Sequence, residues 1–307
     1  MPWAIEESKL LAILEVIDAR AAGFKFDTET IAARIEEAGG QKQPVNRSSG
    51  LTAVIPIVGV IQHRMDMLSE MSGGTSTQAI GKALDMALAD DRIRSIVLEI
   101  DSPGGSVAGV AELADKIFAA RGQKPITAIA NTMAASAAYH LGSQADEFVV
   151  TPSGAVGSIG VFGVHQDVSQ HLEAEGVKTT IVSAGKYKVE GNQFEPLSGD
   201  ARDNMQAQVD AFYGMFVSAV ARGRGVSEAA VRGGFGEGRM VLAKDAVSAG
   251  MVDRVATIDQ VLSRHGGTDN AAPMARSEDP AERQRRLARS YDMALSHRNS
   301  ARPGANN

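Results

Sequence analysis

Leu51 to Ile61 reads LTAVIPIVGVI, a nearly continuous, β-branched apolar run. A chain buries such a run as a strand covered on both faces, not as an amphipathic element with one wet side. Ile93 to Ile100 is a second run of this kind and leads into Pro103-Gly104-Gly105; Pro125 to Ala130 is a third. Between them, helical spacing and capping residues predict helices from about Gln78 to Ala89 and from about Val107 to Ala120. Buried strands alternating with helices predict an α/β domain built on a largely parallel sheet.

The pattern continues. Asn131-Thr132-Met133 reads as a turn into a short helix holding Ser136. Strands are expected at Glu147 to Val150, Ser158 to Val164 and Lys178 to Ser183, with a helix at Val168 to Glu175 between the last two. Ser198 caps the longest predicted helix, which runs to about Arg222 and is ended by Gly223 and Gly225. Gly238 to Val255 reads as strand, helix, turn, strand, and Ile258 to Arg264 closes the domain.

On the flanks the composition changes. Ile5, Leu10, Ile13, Leu14 and Ile17 give residues 4–22 a helical stripe, and a second short helix is expected from Thr28 to Ala38. Residues 41–50, QKQPVNRSSG, read as a linker. The expected organisation is therefore an N-terminal helical arm with linker over 1–50, the α/β domain over 51–266, and a flexible charged tail over 267–307.

Composition excludes several classes of function. The net charge of −6 argues against a general nucleic-acid binder, which needs a basic face. The chain has no cysteine, which removes disulfides, thiol nucleophiles and cysteine metal sites. No run of about 18 apolar residues is present, and acids stand where a secretory leader carries its basic region. A cytoplasmic protein without a membrane partner is expected.

The chemistry concentrates between Glu99 and Val161. Two adjacent glycines after a strand let backbone amides turn inward, and amides so placed stabilise an oxyanion. Ser136 stands in Met-Ala-Ala-Ser-Ala-Ala-Tyr, where small neighbours leave room for a peptide backbone. A serine nucleophile needs a base. His140, one helical turn after Ser136, is one candidate, though it lacks an obvious orienting acid. Lysine is the other: about one in a few thousand ordinary lysines is neutral at pH 7, but desolvation raises that fraction. Lys186 and Lys188, in Ser-Ala-Gly-Lys-Tyr-Lys after a predicted strand, are the candidates.

Ser-Pro-Gly-Gly, Met-Ala-Ala-Ser-Ala-Ala-Tyr, Gly-Ser-Ile-Gly-Val and Gly-Lys-Tyr-Lys, in this order, resemble the signal peptide peptidase A family of serine peptidases; the short N-terminal helical arm, the charged tail and the missing membrane segment look most like its phage prohead (head maturation) protease branch. The resemblance covers roughly Leu51 to Arg264. It implies a ClpP/crotonase-like fold of repeated β-β-α units, with Ser136 as nucleophile, Lys188 as general base, Ser158 as the hydroxyl that orients the lysine, and the amides of Gly105 and Ala137 as the oxyanion hole. Ala137-Ala138 stand where the family often has glycines. The resemblance further implies a Ser-Lys endopeptidase without cofactor or metal, assembled as a homo-oligomeric ring. Its substrates would be proteins or peptides, including phage scaffold and capsid proteins in the host cytoplasm or prohead. Alternatives are a cytoplasmic signal-peptide or protein-degrading peptidase of the same family, a non-catalytic scaffold on this fold, or a crotonase-type acyl-CoA enzyme using Glu99 and Glu112.

Overall fold

The computed structural model describes residues 3–5, 51–64 and 74–265. The chain divides into two compact units, residues 1–266 and 267–307, and every element below belongs to the first.

In chain order the elements are β1 (Trp3–Ile5), β2 (Leu51–Val58), β3 (Ile61–Gln62), β4 (Thr75–Ser76), α1 (Thr77–Ala89), β5 (Ile93–Ser102), β6 (Gly104–Ser106) and α2 (Val110–Ala119). Then follow β7 (Ile126–Ala135), α3 (Ala137–Gly142), β8 (Glu147–Val150), β9 (Ala155–Gly157), α4 (Ser169–Ala174) and α5 (Gly199–Arg224). The last are α6 (Glu228–Gly234), β10 (Met240–Leu242), α7 (Ala243–Ser248), β11 (Arg254–Val255) and α8 (Ile258–Arg264).

The fold is mixed α/β with a largely parallel sheet. Its main path runs β10-β9-β7-β5-β2, with β8 on β7 and β11 on β8. Only the β10–β9 pair in this sheet is antiparallel. Side chains alternate across the strands as a pleated sheet requires. From β5, Ile96, Leu98 and Ile100 enter the large core with Leu84 of α1, Ile117 of α2 and Val217 of α5, while Val97 turns to the other face with Ile129, Val149 and Val261 of α8. Burying a side chain of this size contributes about 1.5–3 kcal/mol. A second sheet, ordered β1-β6-β3-β4, is built around the diglycine strand.

Several helix ends are fixed as the sequence suggests. The hydroxyls of Ser76, Ser198 and Ser227 accept the N–H groups of Ala79, Ala201 and Ala230, and Thr257 with Gln260 forms a capping box. No helix among the described residues is long and apolar enough to cross a membrane.

Four expectations are corrected. Residues 131–133 do not form a turn: β7 continues to Ala135, because β9 pairs Met133, Ala134 and Ala135 with Ala155, Val156 and Gly157. The strand expected from Ser158 stops before it, since Ser158 has φ +52 and cannot continue an extended ladder. Lys178 to Ser183 forms no strand: among the described residues no sheet edge pairs with it, and β-branched residues need such a neighbour to hold a strand. Ala4 and Ile5 belong to a strand instead of a helix, because β6 offers them an edge. The rest of the predicted N-terminal arm, from residue 6, lies outside the described residues, as does the tail from 267.

Candidate active site

Ser136 stands between the last residue of β7 and the first of α3. Its backbone has φ +53 and ψ −119, the geometry of the first corner of a type II′ turn, which glycine normally fills. A non-glycine residue held there stores about 1–3 kcal/mol of strain. A strained strand-to-helix turn is also how a nucleophilic serine is presented at the end of a sheet. The turn is held on both sides. Ser136 donates its N–H to the Gly157 carbonyl at 2.7 Å and accepts from the His140 N–H at 2.9 Å.

All six residues of α3 are buried, the large Tyr139, His140 and Leu141 together with the small Ala137, Ala138 and Gly142. Arg121 fixes the far end of α3. Its guanidinium donates to the carbonyls of Gln144 (2.7 Å) and Ala145 (2.6 Å), just past α3, and of Gly223 (2.9 Å) in the last turn of α5, where helix carbonyls lack partners within the helix. Tyr139 donates to the Met251 carbonyl at 2.9 Å, and burial pushes its hydroxyl well above the usual tyrosine range.

α3 packs against β6, so Gly105 sits in the strand beside the serine helix. Ser102 Oγ anchors this turn: it donates to the Gly59 carbonyl at 2.6 Å and accepts the Gly104 N–H at 3.1 Å. Glycine is required at Gly105 because a Cβ there would run into the backbone of Ile61. Ala137 is the first residue of α3, and N–H groups of a first helical turn have no partner within the helix.

Ser158 follows β9 directly and donates its N–H to the Arg239 carbonyl at 2.9 Å. The Gly157 bond thus brings the chain at Ser158 against the chain at Ser136. Ser136 Oγ contacts the Gly160 carbonyl at 3.5 Å. Lys188 is exposed and donates its backbone N–H to the Gly185 carbonyl at 3.2 Å. Among the described residues no hydrogen bond joins Lys188 to Ser136 or Ser158. Lys186 is drawn to the ring of Tyr187, 4.6 Å from its centroid.

The His140 side chain makes no hydrogen bond to Ser136 among the described residues. The residue is 5% exposed, and its ring stacks on Phe216 with centroids 4.6 Å apart. Nε2 is buried without a partner, and burial, reinforced by Arg222, holds the imidazole down at about 4. Glu99 accepts from Asn131 at 2.9 Å, and Glu112 opens α2; neither is hydrogen-bonded to Ser136. No three His, Asp or Glu side chains among the described residues are grouped to hold a metal ion. Sequence reasoning missed the strain at Ser136 and Ser158, which a one-dimensional reading signals only where glycine marks it.

Residues 119–270, which include Ser136, Ser158 and Lys188, match peptidase family S49. The chain carries a peptidase family S49 domain. The head-tail preconnector protein GP5 of Enterobacteria phage P21 is 37% identical to it over 242 residues, 78% of this chain and 48% of that protein. Capsid assembly protease C of Escherichia phage lambda is 36% identical over 210 residues, 66% of this chain and 46% of that protein. Protease 4 of Salmonella typhi is 29% identical over 218 residues, 71% of this chain and 34% of that protein. The S49 chain thus spans about half the length of the two phage proteins.

Proposed function

We propose that this chain is a serine endopeptidase in which Ser136 is the nucleophile and Lys188 the general base. The observation that carries this reading is Ser136 itself: a strained serine at a strand-to-helix corner, beside a diglycine strand, within an S49 domain. Ser136 Oγ attacks the scissile carbonyl, and its proton passes to Lys188 Nζ. The carbonyl oxygen becomes an oxyanion facing the amides of Gly105 and Ala137. The tetrahedral adduct collapses, Lys188 returns the proton to the leaving amine, and water hydrolyses the acyl-Ser136 ester by the same path. Ser158 orients the lysine. No metal or cofactor enters any step.

The exposed position of Lys188 supports a site completed by assembly. The segment that bears it displays Val177, Ile181, Val182, Tyr187 and Phe194, from 37% to 94% exposed. Apolar side chains displayed in one segment mark a surface that a partner covers. A homo-oligomeric ring buries them against the next copy, and burial strips water from an ammonium and favours the neutral base.

The phage relatives support scaffold and capsid proteins as substrates, cleaved during head maturation in the host cell or prohead. The test is intact-mass analysis of the wild type, Ser136→Ala and Lys188→Ala after incubation with such proteins. Cleavage by the wild type alone supports the reading; equal cleavage by all three overturns it.

A further inference from the structure

β6 is three residues long and, like any strand, has two edges. One edge is paired to β3, with Ile61 opposite Gly105. The other is paired to β1, antiparallel, with Trp3 opposite Ser106, Ala4 opposite Gly105 and Ile5 opposite Gly104. Both edges of the diglycine strand are therefore filled by this chain itself. Ser136, at the corner that leads into the adjoining helix, is 1% exposed, so a peptide reaches Oγ only after something moves.

An extended peptide whose carbonyl accepts from the Gly105 amide joins β6 as a strand. It has no access from the β3 side, where Gly105 lies so close to Ile61 that no side-chain atom fits between. The position that remains is the one β1 holds. We propose that residues 3–5 are a self-ligand on the peptide-binding edge of β6, and that substrate enters by displacing them. The proposal rests on the assignment of Ser136 and Gly105 given above.

The energetics suit a competitor and not a permanent lock. A three-residue pairing offers few hydrogen bonds, each contributing a net 0.5–1.5 kcal/mol or so. A peptide that pairs over more of the site outcompetes it. Because residues 3–5 belong to the same chain, their pairing is intramolecular, which favours it over weakly matched peptides. The register also names the class of competitor. Trp-Ala-Ile places a small residue opposite Gly105 between two large apolar ones, so extended segments of that pattern are expected to bind best.

Trp3 is the only tryptophan in the chain, so tryptophan emission reports this segment alone. Two measurements test the proposal. In the first, the full Ser136→Ala chain is titrated with the tryptophan-free peptide Gly-Phe-Ala-Ile-Gly-Gly. A saturable change in Trp3 emission and anisotropy is expected, with loss of amide-exchange protection at residues 3–5. In the second, Ala4→Pro removes an N–H and the capacity to pair in a strand. It is expected to lower KM for peptide cleavage about tenfold, or about 1.4 kcal/mol, with kcat unchanged, whereas Ala4→Val keeps the wild-type KM. An unchanged KM in Ala4→Pro together with a silent Trp3 overturns the self-ligand while leaving the peptidase intact. A Trp3 response in a chain that cleaves nothing leaves the self-ligand standing and overturns the peptidase.

Discussion

Ser136 donates its backbone N–H to the carbonyl of Gly157 at 2.7 Å, which clamps two positive-φ serines, Ser136 and Ser158, against each other across the β7–β9 pair. The clamp explains how a residue in an unfavourable conformation is held, and it predicts a trade of stability for activity. Ser136→Gly relieves the backbone and is expected to stabilise the protein by about 1 kcal/mol, while peptide cleavage falls at least about a thousandfold. Paired thermal melts and cleavage assays check both. A lower melting temperature would contradict the strain.

Gly157 itself has φ +124, and a Cβ on it would meet the Arg239 carbonyl at 2.7 Å. Gly157→Ala is therefore expected to destabilise by about 1–3 kcal/mol. It is also expected to move Ser158, lowering kcat more than it raises KM. Gly105→Ala meets the Ile61 backbone and is expected to cost more stability than Gly157→Ala. Urea denaturation of the two variants side by side ranks them.

His140 predicts an acid sensitivity that has nothing to do with catalysis. Its folded-state value of about 4 lies below the ordinary 6.5 because of burial. A group whose folded value is depressed in this way is protonated first in the unfolded chain. Its effect on stability is absent above pH 6.5, and stability is lost as pH falls from 6.5 toward 4, by about 2–3 kcal/mol in all. His140→Phe keeps a ring against Phe216 and removes the orphaned Nε2. Denaturation between pH 4 and 8 is expected to show a flatter slope for this variant and a gain over the wild type at pH 5. Its peptidase activity at neutral pH is expected to persist, as a lysine base requires; loss of activity in a folded variant would return His140 to the reaction.

If serine and lysine come from neighbouring copies, Ser136→Ala and Lys188→Ala complement each other. In a randomly mixed ring about one site in four combines an intact Ser136 with an intact Lys188 from the adjacent copy. Mixing the two inactive proteins under conditions that exchange subunits is expected to restore about a quarter of wild-type activity. No recovery, with mixed rings confirmed by mass, would mean that each copy uses its own pair. Lys188→Arg is not expected to substitute for the lysine, since a guanidinium does not give up its proton.

The parallel core was legible because its strands are written in β-branched runs, as at Leu51 to Val58 and Ile93 to Ile100, and because capping serines such as Ser76 and Ser198 mark helix starts. What escaped depends on pairing over distance. Asn131 to Met133 looks like a turn until β9, some twenty residues later, supplies its partners. Ala4 and Ile5 follow a helical stripe until an edge on β6 is offered. Lys178 to Ser183 shows the converse: a strand-like sequence that forms no strand pairing among the described residues. Of the proposed site, Ser136, Ser158, Gly105 and Ala137 stand in motifs visible in the sequence, and the fold brings their segments to one corner. Lys188 was proposed from its position after Tyr187, and the fold of a single copy leaves it exposed.

The central claim is that Ser136 Oγ is the nucleophile and Lys188 its base. It is tested most directly by brief exposure to an alkyl fluorophosphonate, in which Oγ attacks phosphorus and fluoride leaves, followed by mass analysis of the digested protein. The account predicts a single adduct on the peptide containing Ser136 in the wild type, none in Ser136→Ala, and little at that serine in Lys188→Ala. Equal labelling of wild type and Ser136→Ala, or full labelling of Ser136 without Lys188, would contradict it.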